Sequence, residues 1–317
     1  MADGDFSTEY FNIAVKNHCN QLMYRNNPVE HPKAFVLGGQ PGAGKTGLQK
    51  IMSQQCHNNL IIINADEFRE LHPDFKHLQA KYGKDSVDYT GSFTGRMTEE
   101  LIEMLKTEQY NVLVEGTLRT ADVPLRTCSS FKECGYTVTL AIMAVKPEIS
   151  YLSTIMRYEN MIAEGKTPRA TSKSSHDKVV AAIPDNLRRI YDSHSFDNIV
   201  IYDRDGKCLY DLSEEEQVSP DTVIKEVFDR KWTQHEFEQF CSIGRITQEL
   251  MEKRQAPELA DYSAKYFNND IVSMIVANNS LTVTDVRNRS EKMAAWAEKA
   301  IDKAEQTQEM KRDGQIR

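Results

Sequence analysis

Residues 34–46 read AFVLGGQPGAGKT, a short apolar run that breaks into a glycine-rich turn closed by a lysine and a threonine. The segment Gly39-Gln40-Pro41-Gly42-Ala43-Gly44-Lys45-Thr46 fits the pattern G-x-x-x-x-G-K-[ST] without a gap. Glycines there let backbone N–H groups converge on phosphate oxygens with no side chain in the way. A helix starting at the lysine brings its positive end to the same point. Lys45 is placed to reach the β- and γ-phosphates of a nucleotide, and the Thr46 hydroxyl to ligate Mg²⁺. The reading is a nucleotide-phosphate and Mg²⁺ site between a strand and a helix; the competing one is a purely structural glycine turn.

Further apolar runs follow at intervals that leave room for helices: LIII (60–63), NVLVE (111–115), VTLAIMAV (138–145) and NIVIY (198–202). The first three are rich in Val, Ile and Leu without alternation, as expected of strands buried on both faces of a parallel sheet. Segments between them, such as TEELIEMLKTE, carry helical periodicity. Strand–helix alternation predicts an α/β fold with a mostly parallel central sheet flanked by helices. YDRDGKCLY adds a hairpin signal, with Asp205-Gly206 suited to a tight turn. Ahead of the sheet, Phe11, Val15, Cys19 and Leu22 share one helical face, with Ser7 as its N-cap and NNP (26–28) as its stop. Beyond about residue 220 the strand signals cease and helical patterns take over. TVTDV (282–286) is weakly strand-like, and the tail from about 300 is expected to fray.

Acidic residues outnumber basic ones, 47 to 39, for a net charge of −8. Such a chain repels polyanions, so neither a nucleic acid nor a membrane surface is the expected partner. The six cysteines form no CxxC pair and no zinc-like cluster, which favours reduced thiols. No charged-then-apolar leader and no long apolar run are present, and a cytoplasmic location is the expectation.

A GTPase would carry an Asn/Thr-Lys-x-Asp element, and none occurs. VLVEG partly fits the acidic strand end of an ATPase motor. Small-molecule kinases place an acidic residue after the second strand, and LIIINADEF puts Asp66 there, at the carboxyl edge where open α/β sheets bind ligands. A carboxylate at that edge can accept the proton of an attacking hydroxyl or hold magnesium through water; alternatively Asp66 caps a helix over EFRELHP. Glu115 ends the third strand at the equivalent edge, with Thr117 and Arg119 behind it. A charge ending a buried strand needs a partner. YLSTIMRYENMIAEGKTPRATSKSSHD begins as a helix with Tyr151, Ile155 and Ile162 on its apolar face, then breaks into a loop. It supplies Arg157, Lys166, Arg169 and Lys173, the makings of a basic lid over transferring phosphates. His176 is read as structural.

Together the strings LGGQPGAGKT, NADEFRELHPDF, RMTEELI, NVLVEGTLRTADVP, YLSTIMRYENM and PRATSKSSHD resemble the zeta toxin family, in that family's order over about residues 6–212. The resemblance implies a P-loop NTPase-like kinase fold. It implies the toxin of a bacterial toxin–antitoxin pair, phosphorylating UDP-N-acetylglucosamine on an amino-sugar hydroxyl with ATP and Mg²⁺ and so blocking use of that cell-wall precursor. On the matching motifs, Gly39 to Thr46 would hold the nucleotide, with Lys45 and Thr46 serving phosphates and Mg²⁺. Asp66 would be the general base; Glu99, Glu115, Thr117, Arg119 and Thr127 would line the nucleotide-sugar site; Arg157 and Arg169 would stabilise the moving phosphoryl group. A separate antitoxin chain would be the protein partner.

The resemblance divides the chain into a kinase domain over 1–235 and a helical C-terminal extension over 236–317, with no family motif from about 245 onward. Two alternatives stay open: a P-loop kinase for another small-molecule or polynucleotide hydroxyl, and a nucleotide-binding regulatory module.

Overall fold

A computed structural model describes residues 3–215 and 217–267. The expected strand-like stretch at 282–286, the helical pattern expected beyond residue 267 and the expected frayed tail lie outside the described residues. The chain divides into two compact units, Met1–Asp229 and Arg230–Arg317.

The first unit is built on a six-stranded sheet of order β2-β3-β1-β4-β5-β6. The strands are β1 (Lys33–Gly38), β2 (Ile61–Ile63), β3 (Val112–Glu115), β4 (Thr137–Met143), β5 (Asn198–Tyr202) and β6 (Cys208–Asp211). The first five run parallel, and β6 turns back antiparallel on β5 through the expected hairpin. β4 ends two residues short of the apolar run, because Ala144 and Val145 lead into the next helix while Ala144 N–H donates to the Tyr202 carbonyl.

Helices cover both faces: α1 (Thr8–Tyr24), α2 (Thr46–Gln55), α3 (Phe75–Tyr82), α4 (Ser86–Thr107), α5 (Asp122–Lys132), α6 (Pro147–Ala163), α7 (Lys173–Asp192) and α8 (Pro220–Asp229). This explains the unbroken apolar strands, since Phe35, Val36, Leu37, Leu113, Leu140 and Ile142 have no solvent face to alternate toward. In α1, Phe11, Val15 and Cys19 are buried as the spacing predicts, and the Ser7 side chain caps Tyr10 N–H. The apolar face of α6 differs from expectation. Ile149, Leu152 and the small polar residues Ser150, Ser153 and Thr154 are buried, whereas Tyr151, Ile155 and Ile162 are half-covered. Small side chains let this helix approach the glycine turn closely: a Cβ on Gly42 would lie 2.0 Å from the Ser150 carbonyl oxygen.

In the second unit, α9 (Gln234–Lys253) opens on a capping box in which Thr233 and Glu236 satisfy each other's backbone N–H. That cap starts a new helix four residues beyond the end of α8. α10 (Leu259–Phe267) folds back so that the Tyr262 hydroxyl donates to the Gly244 carbonyl. All six cysteines are free. Among the described residues no helix is long and apolar enough to cross a membrane.

Candidate active site

The parallel strands deliver their carboxyl ends to one edge, and the chemistry-bearing residues follow directly from them. Gly39–Thr46 continues β1, Asp66 lies three residues beyond β2, Glu115 ends β3, and Asp203-Arg204 follows β5. Register places Leu37 beside Glu115, which roots the glycine turn next to that carboxylate.

The turn has the backbone its glycines permit. Gly42 sits at φ 77° and Gly44 at φ 94°, in the left-handed region that disfavours side chains. Gln40 is fully buried and donates from Nε2 to the Val145 carbonyl at 2.8 Å, tying the turn to the start of α6. Lys45 is also buried; its Nζ donates to the Gly39 carbonyl at 3.2 Å and lies 3.7 Å from Glu115 Oε1. The other Glu115 oxygen accepts from Gln49 Nε2 at 2.8 Å. Burial pushes the pKa of Lys45 down, against the opposing pull of Glu115 and Asp66. Thr46 is the first residue of α2 and is exposed, its hydroxyl at the positive end of that helix.

Asp66 caps nothing. The segment after it is a short 3₁₀ turn, Glu67–Leu71, and Asn64 Oδ1 accepts the Asp66 N–H instead. The Asp66 carboxylate takes Arg69 Nε on Oδ1 at 3.1 Å and lies 3.2 Å from Arg169 Nη1 through Oδ2. It keeps 40% of its side chain open rather than turning into the core. Burial raises its pKa, but Arg169, Arg69 and Arg157 outweigh that and hold it below the usual carboxylate value.

Arg157 stands on α6, and Arg169 on the loop 164–172 between α6 and α7. Arg157 Nη2 reaches Thr171 Oγ1 at 3.5 Å, across the foot of that loop. Burial and the neighbouring Arg169 push its pKa down. The Nε atoms of both arginines are buried without a hydrogen-bond partner. Lys166 instead pairs with Glu164, and Lys173 with Asp177 four residues on.

Beside this cluster a cavity of about 460 Å³ opens between the end of β3 and the start of α5. Glu115, Thr117, Arg119 and Thr127 all line it, as do Leu118 and Val123. Leu118 holds a left-handed backbone, φ 56°, and its carbonyl accepts from Asn186 Nδ2 of α7 at 3.0 Å. A non-glycine residue in that region is strained, and here the strain lies between Thr117 and Arg119. Glu99 stands apart from the cavity, exposed on α4.

Sequence reasoning missed Gln49, Arg69, Asn186 and Arg204. Arg69 follows Asp66 by three residues, the spacing of neighbours on one helical turn, and could have been found from it. The others are brought in by tertiary packing and carry no local signal.

The zeta toxin family model matches residues 18–215, a span holding the glycine turn, Asp66, the cavity, Arg157 and Arg169. The chain belongs to the zeta toxin family. Similar relatives include the toxin PezT of Streptococcus pneumoniae, 42% identical over 250 residues, 78% of this chain and 98% of that protein. The toxin zeta of Streptococcus pyogenes is 36% identical over 257 residues, covering 80% and 89% of the two chains. Among solved structures, one described as the PezAT chromosomal toxin–antitoxin system of S. pneumoniae superposes with a TM-score of 0.72 at 39% identity, over 80% of this chain and 100% of that one. The zeta toxin match ends at residue 215, before α9 and α10.

Proposed function

We propose that this protein is the toxin of a toxin–antitoxin pair and acts as an ATP-dependent kinase on a nucleotide-sugar hydroxyl, with UDP-N-acetylglucosamine as acceptor. The carrying observation is that Arg157 and Arg169 bring buried, unpartnered Nε donors to the vicinity of Asp66 and Lys45. Buried N–H groups need acceptors, and phosphate oxygens are the ones that a glycine cradle and a buried lysine select. The same features support ATP as donor. The Thr46 hydroxyl at the start of α2 is a hard oxygen donor of the kind that suits Mg²⁺, and the cation would supply charge neutralisation on the phosphates.

In the transfer, the acceptor hydroxyl oxygen attacks the γ-phosphorus while the bond to the β,γ-bridging oxygen breaks, and ADP leaves. The hydroxyl proton passes to the Asp66 carboxylate. Lys45, Arg157 and Arg169 hold the charge that spreads over the phosphoryl oxygens, and phosphoryl transfer depends chiefly on such positioning. The cavity from Glu115 to Thr127 orients the acceptor, with Arg119 suited to its diphosphate and Glu115 and Thr117 to hydroxyls. Asp66 meets its substrate as an ion pair with Arg169, so arrival of the donor phosphates gives that arginine a second anion.

The kinase domain in this reading spans 1–235 with a helical extension from 236, and an antitoxin chain is its protein partner, as in the PezAT system of S. pneumoniae. Purified protein given UDP-N-acetylglucosamine, ATP and Mg²⁺ should yield a sugar nucleotide heavier by one phosphoryl group. A phosphorylated product found only with some other metabolite would overturn the acceptor; none from any metabolite extract would overturn the kinase.

A further inference from the structure

The hairpin between β5 and β6 carries an arginine directed away from its own strands. Asp203 closes the turn by accepting the N–H groups of Asp205 and Lys207 on Oδ1, at 3.0 and 2.9 Å, and Gly206 takes φ 84°. From this rigid turn Arg204 extends over the glycine turn. Its Nη2 donates to the Gly42 carbonyl at 3.0 Å and to Ser153 Oγ at 2.8 Å. Ser153 donates its own proton to the Ile149 carbonyl at 2.8 Å, which leaves its oxygen free to accept. The guanidinium also covers the backbone of Gly44, where an added Cβ would lie 3.2 Å from Nε.

The peptide unit between Gly42 and Ala43 is thereby held at both ends. Its N–H donates to the Gln40 carbonyl at 3.1 Å, and its C=O accepts from Arg204. Glycine on either side of Ala43 leaves this stretch free to rotate unless something fixes it. Among the described residues no carboxylate is hydrogen-bonded to Arg204, so its charge is directed at the turn itself. Burial lowers its pKa, with only the adjacent Asp205 opposing.

We propose that Arg204 is a positioning residue for the phosphate loop: by clamping the Gly42 carbonyl and Ser153 it pre-sets the loop for the nucleotide's phosphates. This rests on the reading of the loop as an ATP site. A pre-set loop loses less freedom on binding, so the clamp acts on nucleotide affinity rather than on the transfer step.

The test is calorimetric titration of the full chain with MgATP, alongside steady-state kinetics. Arg204→Gln should weaken MgATP binding about ten- to a hundredfold, the range expected for one charge-assisted hydrogen bond. KM for ATP should rise in parallel while kcat at saturating ATP stays within about threefold of wild type, a small change on the same scale. Arg204→Lys, which can still donate to Gly42, should restore part of the affinity. Unchanged MgATP affinity in Arg204→Gln, or a fall in kcat with KM unmoved, overturns the proposal. Should Arg204→Gln lose its folded circular dichroism, Ser153→Ala decides: weaker MgATP binding supports the clamp and wild-type binding overturns it. Wild-type protein that binds no MgATP would sink the ATP-site reading along with the clamp, whereas a tight-binding wild type with an equally tight Arg204→Gln sinks the clamp alone.

Discussion

Asp66 Oδ2 and Arg169 Nη1 lie 3.2 Å apart, with Arg69 Nε on the other carboxylate oxygen at 3.1 Å. The candidate base is therefore ionised and oriented before substrate arrives, and two cations stabilise its charged form. Asp66→Asn keeps the shape and removes the proton acceptor. It should lower kcat by about 10²- to 10⁴-fold, the usual share of a general base, with MgATP affinity little changed. Single-turnover rates beside a binding isotherm check this; an unchanged rate removes Asp66 from the role.

Arg69 offers a test of direction. It lowers the Asp66 pKa, so Arg69→Gln should move the acidic limb of the kcat profile to higher pH. Its Nη1 also donates to the Val87 carbonyl at 3.0 Å and to Thr90 Oγ1 at 2.7 Å. The variant should accordingly melt earlier as well, and a melting shift with an unmoved acidic limb would show that Arg69 only braces α4.

Arg157 and Arg169 should behave unlike Asp66 in their chemistry but alike in kinetics. Charge on the phosphoryl oxygens is best matched in the transition state, so their replacement falls mainly on kcat. Arg157→Gln and Arg169→Gln should each cost about 10²- to 10³-fold, by analogy with the loss of one oxyanion donor. A rise in KM for ATP at constant kcat would assign either arginine to ground-state binding instead.

Legibility from sequence divides along the range of the interactions. The sheet was readable because β1, β3 and β4 are buried on both faces and so lose the alternation that half-exposed strands keep. The glycine turn was readable because its conformation restricts residue type at each step. Asp66 could be placed at the sheet edge, but not its partners: Arg169 arrives through a loop, and Arg204 through a hairpin 162 residues from Gly42. The buried face of α6 departs from its sequence pattern for a related reason. Its Ser150, Ser153 and Thr154 look polar in sequence, yet packing against the glycine turn needs small side chains there, and their hydroxyls find partners at 2.8, 2.8 and 2.7 Å.

His176 is buried and bonded through Nε2 to Ser150 Oγ at 2.8 Å, with Nδ1 3.3 Å from Asp177 Oδ1. Burial lowers its pKa, against the opposing pull of Asp177, and Lys173 lowers it further. Burial likewise lowers that of His18, against Glu67. The unfolded chain takes up these protons near the ordinary imidazole value of about 6.5, where the folded chain does not. Stability is thus full above that pH and should fall as pH drops below it, until the folded-state values are passed. Urea midpoints at pH 7.5, 6.5 and 5.5 should decline in that order, and His176→Gln should flatten the decline. An equal slope in the variant would assign the acid sensitivity elsewhere.

The proposed acceptor cavity should be separable from the proposed ATP site by substitution. Val123 is 54% exposed on its wall, so Val123→Trp can enter the space with little cost to the core. It should raise the acceptor KM about tenfold or more, as a filled subsite loses more than 1.4 kcal/mol of binding, while KM for ATP holds. Asn186→Ala probes the same cavity from behind. Asn186 Nδ2 holds the Leu118 carbonyl and so supports the left-handed backbone between Thr117 and Arg119. Without it the loop can relax toward an unstrained conformation, releasing about 1 kcal/mol or more of backbone strain. Thr117 and Arg119 would turn away from their present directions, and the acceptor KM should rise several-fold with ATP binding intact. Adding Leu118→Gly to Asn186→Ala tests the cause, since glycine takes the left-handed region freely and should recover part of the lost acceptor affinity. No recovery, in a double variant that remains folded, would mean that Asn186 acts through packing of α7 rather than through the Leu118 backbone.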